Sequence, residues 1–182
     1  MPEPLRDQGA EPEGPDEPRF HVAASPGGRV VDTAGLERFL EAIAEDISPG
    51  DARGASLRVV SDAAMRELNR TYRGKDQPTD VLAFPVSGPP ADTRHDGGNH
   101  RAPELLVDPW PREEPGYLGD LVVSVDTASR QAAERGRPLD AELRHLALHG
   151  LLHLFGYDHE ADRGEMARLE RLLRLRHGLI PR

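Results

Sequence analysis

Between residues 149 and 159 the chain reads HGLLHLFGYDH, which places His149 and His153 four residues apart and adds His159 six residues later. On a helix, positions i and i+4 lie one above the other on the same face, so two imidazoles at that spacing can reach one ion. Gly156 suits the position just past a helix end, where a left-handed turn lets His159 return from another direction. Three neutral nitrogen donors with an open fourth position are the donor set of a catalytic zinc; a structural zinc is normally closed by four ligands. His145 lies one turn earlier on the same stripe. It is a poor ligand candidate, because three successive turns span about 11 Å and cannot converge on one ion.

The residue after His149 is Gly150, where a zinc protease of the H-E-x-x-H kind carries its catalytic glutamate. The missing carboxylate argues against peptide hydrolysis. A zinc held by three imidazoles can itself lower the pKa of a bound water toward about 7 and stabilise charge on a phosphodiester, so a separate base is dispensable. In this reading Gly150 leaves room beside the metal for a sugar-phosphate backbone, which a glutamate would repel.

The chain has 182 residues, a length that suits one domain spanning 19–182. It contains no cysteine, so any metal must be held by histidine or carboxylate, and a disulfide framework is excluded. The formal charge of −9 is concentrated outside the expected fold. Residues 1–18 hold six acids against one arginine, and residues 86–116 six acids against three arginines. The remainder is close to neutral, which leaves RNA binding open. No apolar leader or run of eighteen apolar residues occurs, so a cytoplasmic protein without a membrane partner is expected.

The elements that must position the histidines follow from periodicity and punctuation. Residues 1–18, rich in Pro, Gly and Glu, predict a disordered acidic extension. RFHVAAS predicts a strand. Leu36, Phe39, Leu40, Ile43 and Ile47 predict a helix capped by Thr33 and stopped at Ser48-Pro49-Gly50. ASLRVVS is a second strand. Ser61 or Asp62 caps a helix carrying Met65, Leu68 and Tyr72, which ends at Arg73-Gly74. VLAFPV, residues 81–86, is a third strand, and residues 87–116 predict a long mobile loop in which His95 and His100 are solvated. YLGDLVVSV is the fourth strand. Asp126 is expected to cap a helix through Ala133, Asp140 the helix bearing His149, and a last helix from about Asp162 to His177 packs Met166, Leu169, Leu172 and Leu173. The class is α+β: a small mixed sheet of about four strands with about five helices, and the zinc site at the end of a central helix.

Three separated stretches, LNRTYRGKDQPTDVLAFP (68–85), LGDLVVS (118–124) and HGLLHLFGYDHE (149–160), resemble the YbeY family of bacterial endoribonucleases, whose hallmark is H-G-x-L-H-L-x-G-Y-D-H. The resemblance covers most of residues 19–178. It implies one zinc ion per chain held by His149, His153 and His159. It also implies a single-strand-specific, metal-dependent endoribonuclease acting in small-subunit rRNA maturation and ribosome quality control, with rRNA and the small ribosomal subunit or ribosome as partners and no role for DNA. Arg73 matches the family's functionally important arginine in Y-R-G-K-D and joins His149 as a catalytic residue. Ala83 stands where the family often has serine, the acidic extension is unusual, and the loop before Leu118 is longer than the family norm. Two alternatives stay open: a metal-dependent hydrolase of another substrate, and a ribosome-assembly or RNA-binding factor whose metal is mainly structural.

Among supporting residues, Arg66 and Arg70 read equally as a basic stripe or as a solvated helix face, and Lys75 sits in the same turn as Arg73. Asp158 either orients a histidine or shapes the turn. Spacing assigns no chemistry to Thr79-Asp80, Gly119-Asp120, Arg130 or Gln131.

Overall fold

The computed structural model describes residues 19–25, 29–86, 116–158 and 162–180. The expectations for residues 1–18, for 87–115 with His95 and His100, and for His159 lie outside the described residues. Four strands and five helices are described, in the order β1 (Phe20–Ala24), α1 (Thr33–Ile47), β2 (Gly54–Val60), α2 (Asp62–Arg73), β3 (Val81–Pro85), β4 (Tyr117–Ser124), α3 (Val125–Glu134), α4 (Leu139–Leu154) and α5 (Glu165–Arg176).

The strands form one mixed sheet in the order β1-β2-β4-β3. β1 and β2 run parallel, as do β2 and β4, while β3 returns antiparallel along β4, with Ala83 opposite Leu121. Every residue of β4 is buried, as its nearly unbroken apolar sequence requires of a central strand covered on both faces. Alternation then divides the core in two. Leu57, Val59, Leu121 and Val123 face the main core with α1, α4 and α5. Val60, Leu82, Phe84 and Val122 face Met65 and Leu68 of α2. The α+β expectation therefore holds, with a mixed sheet of four strands and five helices.

Helix α4, which carries the histidine pair, is hydrophobic nearly all round: Leu143, Leu146, Ala147, Leu148, Leu151, Leu152 and Leu154 are all buried. Each such leucine contributes on the order of 1.5–3 kcal/mol over an exposed one, so the helix is anchored firmly under the sheet. Its first turn is held by Glu142, fully buried, which pairs with Arg135 at 2.6 Å and Arg137 at 2.5 Å. Two cations on one buried carboxylate tie the turn between α3 and α4 to the helix start.

Several cap assignments shift. Asp32, not Thr33, caps α1, its Oδ1 accepting from the Gly35 N–H at 2.8 Å. Of the two candidates for α2, Ser61 is the cap. Ser124 rather than Asp126 caps α3, because Asp126 turns away to accept from the Asp62 N–H at 2.8 Å and to pair with Arg29. Helix α4 begins after Pro138 with no side-chain cap, so Asp140 is simply an acid in its first turn. Helix α5 starts at Glu165, and Asp162 stands just before it, accepting from the Gly164 N–H at 2.6 Å and the Met166 N–H at 2.7 Å. Leu172, expected in the core, is 60% exposed on α5, since only Met166 and Leu173 point fully inward.

Candidate metal centre

The two described histidines of the motif meet. His149 Nε2 and His153 Nε2 lie 3.3 Å apart, with ring centroids at 4.9 Å and planes inclined by 79°. Two nitrogens bound to one tetrahedral zinc at about 2.0–2.1 Å are separated by about 3.3–3.4 Å. The pair therefore already has the spacing of two ligands on one ion, and the atoms that approach are both Nε2. Among the described residues no set of three histidine or carboxylate side chains gathers at a metal-binding distance. The third ligand of the expected triad, His159, belongs to the residues not described.

The chain end leading toward His159 is built as expected. Phe155 is the C-cap of α4, and Gly156 follows with φ 90°. Its N–H donates to His153 O at 3.0 Å, and Tyr157 N–H reaches back to Leu152 O at 3.0 Å. These are the two bonds of a Schellman motif, which requires the left-handed residue at this point and reverses the chain direction past the histidines. Asp158 is exposed, and its carbonyl accepts from the Asp162 N–H at 2.9 Å.

Behind His149 stands a polar chain supplied by α5. Glu170 Oε1 is 3.4 Å from His149 Nδ1, and the same oxygen accepts from Arg174 Nη2. Arg174 Nη2 also donates to His145 Nε2 at 3.2 Å. Burial alone would raise the Glu170 carboxyl, but the contacts with His149 and Arg174 bring it down to about 2. His145, one turn before His149, thus serves as an acceptor for Arg174.

Burial pushes His145 down to about 4, and the Arg174 charge acts in the same direction. Because the folded value lies below the ordinary 6.5, the unfolded chain takes up this proton first, and the folded state loses stability as pH falls from 6.5 toward 4. After discounting for its partial exposure, the effect is about 1 kcal/mol, or about 2–4 °C in Tm for a domain of this size. Thermal melts at pH 7 and pH 4.5 should show a steeper fall for the wild type than for His145→Gln, which keeps an acceptor for Arg174 but does not titrate. Parallel falls would remove His145 as the cause.

Gly150 does not have the role expected of it. A Cβ built there would lie 2.8 Å from Leu121 Cδ2 and 3.1 Å from Val81 Cγ2, so the residue faces the sheet and not the histidine pair. The absent side chain brings α4 close to β3 and β4; it does not open space for a substrate. Gly119 has a comparable local reason: at φ 144° its Cβ would sit 2.2 Å from Phe84 O, so only glycine fits the ladder there.

Of the other candidate residues, Asp80 and Gln131 are brought together. Arg73 lies half-buried in the last turn of α2, whose apolar side covers the opposite sheet face from α4. Arg66 is bidentate to Asp76, with both bonds at 2.7 Å, and Arg70 pairs with Glu67 at 2.5 Å. Of the two readings left open for Arg66 and Arg70, these exposed ion pairs favour the solvated helix face. Asp80 accepts from Gln131 Nε2 at 3.1 Å and from its neighbour Val81 N–H at 2.9 Å. Arg130 pairs with Asp62 at 2.8 Å. Asp120 is buried beneath Ser56 Oγ at 2.5 Å and Tyr117 OH at 2.8 Å. Sequence reasoning did not single out Glu170; the signal lay in the spacing Glu170/Arg174, four apart on the last helix, but nothing in it names α4 as the target.

The sequence profile described as Endoribonuclease YbeY matches residues 32–176. The chain belongs to this family. A YbeY endoribonuclease of Picosynechococcus sp. is 41% identical over 148 residues, covering 80% of this chain and 82% of that one. The YbeY endoribonuclease of Moorella thermoacetica is 44% identical over 131 residues, covering 71% and 74%. The solution structure of TM1509 from Thermotoga maritima matches over 85% of each chain with a TM-score of 0.49 at 24% identity. The matched span contains the described YbeY-like stretches, the histidine pair and Glu170. No helix among the described residues is long and apolar enough to cross a membrane.

Proposed function

We propose that this protein is a zinc-dependent, single-strand-specific endoribonuclease of small-subunit rRNA maturation and ribosome quality control, working in the cytoplasm on the ribosome or its small subunit. The observation that carries this reading is the approach of His149 Nε2 and His153 Nε2 to 3.3 Å in a chain of an endoribonuclease family. His149 and His153 hold one zinc ion through Nε2, and His159 supplies the third nitrogen. When bound, zinc contributes Lewis-acid activation of a water nucleophile and charge stabilisation at the scissile phosphate. The imidazoles bring no charge of their own, which leaves the cation's field undiminished for an anionic substrate. The firmly buried α4 keeps the first two ligands aligned, so little reorganisation is required when the substrate arrives. Arg73 clamps a phosphate of the RNA through its fork of donors.

Metal removal tests this directly. Protein dialysed against a chelator is expected to lose cleavage of single-stranded rRNA fragments, and one equivalent of zinc restores it. Cleavage that persists at full rate in protein shown to be metal-free would exclude the metal from the reaction.

A further inference from the structure

The geometry points to Glu170 as a positioning residue that selects the Nε2-binding tautomer of His149 and strengthens metal binding from behind the ligand. This rests on the proposed metal centre. Glu170 Oε1 lies 3.4 Å from Nδ1 of His149, on the opposite side of the ring from the Nε2 atom that approaches His153. A carboxylate accepts and does not donate, so its contact holds the imidazole proton on Nδ1 and leaves the Nε2 lone pair for a cation. The same placement prevents Glu170 from acting as a ligand alongside that Nε2, because the ring stands between them.

The carboxylate is itself fixed. Its side chain is only 12% exposed, and Arg174, one turn later on α5, donates to the same oxygen. Arg174 is steadied in turn by His145 Nε2 at 3.2 Å. Helix α5 therefore carries a two-residue brace, Glu170 and Arg174, that docks on the histidine stripe of α4. Carboxylates placed behind a ligating histidine typically raise metal affinity about 10- to 100-fold by orienting the ring and increasing its basicity. A purely structural Glu170–Arg174 pair would leave metal affinity unchanged once folding is accounted for.

The test measures zinc dissociation constants by competition with a chromogenic chelator, alongside apo-protein melting curves, for wild type, Glu170→Gln and the control Glu165→Gln in the first turn of the same helix. Glu170→Gln is expected to bind zinc about 10- to 100-fold more weakly and Glu165→Gln within about twofold of the wild type. Affinity of folded Glu170→Gln equal to wild type would overturn the inference. Nitrogen-15 spectra of the wild-type imidazoles need no variant: His149 should carry its proton on Nδ1 and the zinc on Nε2, and the reverse assignment would overturn the inference even if Glu170→Gln fails to fold. Wild-type protein that takes up no zinc would instead bring down the metal centre itself, a result separate from either outcome for Glu170.

Discussion

His153→Ala is expected to lose zinc and, with it, cleavage of single-stranded RNA by about 1,000-fold or more. Removing a residue behind a ligand costs about 10- to 100-fold, and removing a ligand costs more, because two nitrogens replace three and the remaining positions fill with water. The fold should survive. His153 is only partly buried in the last turn of α4, and alanine is the better helix former. The comparison requires identically purified wild type and variant, metal content per chain, and initial rates on the same RNA fragments. Residual cutting of equal size in both preparations would mark a contaminating nuclease, and a folded variant that cuts RNA above that background as fast as wild type would refute a catalytic metal at this pair.

Gly150→Glu, which would restore the H-E-x-x-H pattern of a zinc protease, is expected to unfold the protein rather than convert its chemistry. The new Cβ would meet Leu121 Cδ2 at 2.8 Å and Val81 Cγ2 at 3.1 Å, and the carboxylate beyond it would enter the main core between α4 and the sheet. Overpacking costs about 1–3 kcal/mol and an unpaired buried carboxyl several more, for a total of about 4 kcal/mol or above. That approaches the whole stability of a domain at the low end of the usual range, about 5–15 kcal/mol. Gly150→Ala should lose only about 0–2 kcal/mol, since relief of the glycine penalty in a helix, about 1 kcal/mol, offsets part of the crowding. Urea unfolding of the two variants separates these cases. A Gly150→Glu protein as stable as wild type would mean that the position faces solvent or the metal, contrary to the packing.

The two predictions concern neighbouring positions of one helix and depend on different contacts. His145 and His149 meet Arg174 and Glu170 of α5, whereas a side chain at Gly150 would meet Leu121 of β4 and Val81 of β3. The packing explains the glycine without any appeal to catalysis.

The sequence by itself determined the strands and helices, because apolar periods of two and of about 3.6 residues are local properties of the chain. It also determined that His149 and His153 share a helix face and that Gly156 turns the chain after them, since both follow from spacing along one element. Caps were less legible: Asp32, Ser124 and Pro138 stand next to or near equally suitable neighbours, and only the backbone bonds decide which residue is used. The direction of Gly150 was decided by tertiary structure alone, because spacing gives an angle around the helix axis but not which neighbour occupies it. The same holds for Arg66 and Arg70, for which spacing leaves a basic stripe and a solvated face equally open, and the ion pairs with Asp76 and Glu67 favour the second. Glu170 reaches His149 across 21 residues of sequence because α5 packs against α4 at that height. No local pattern encodes such a contact; it arises only when the buried faces of both helices are satisfied together.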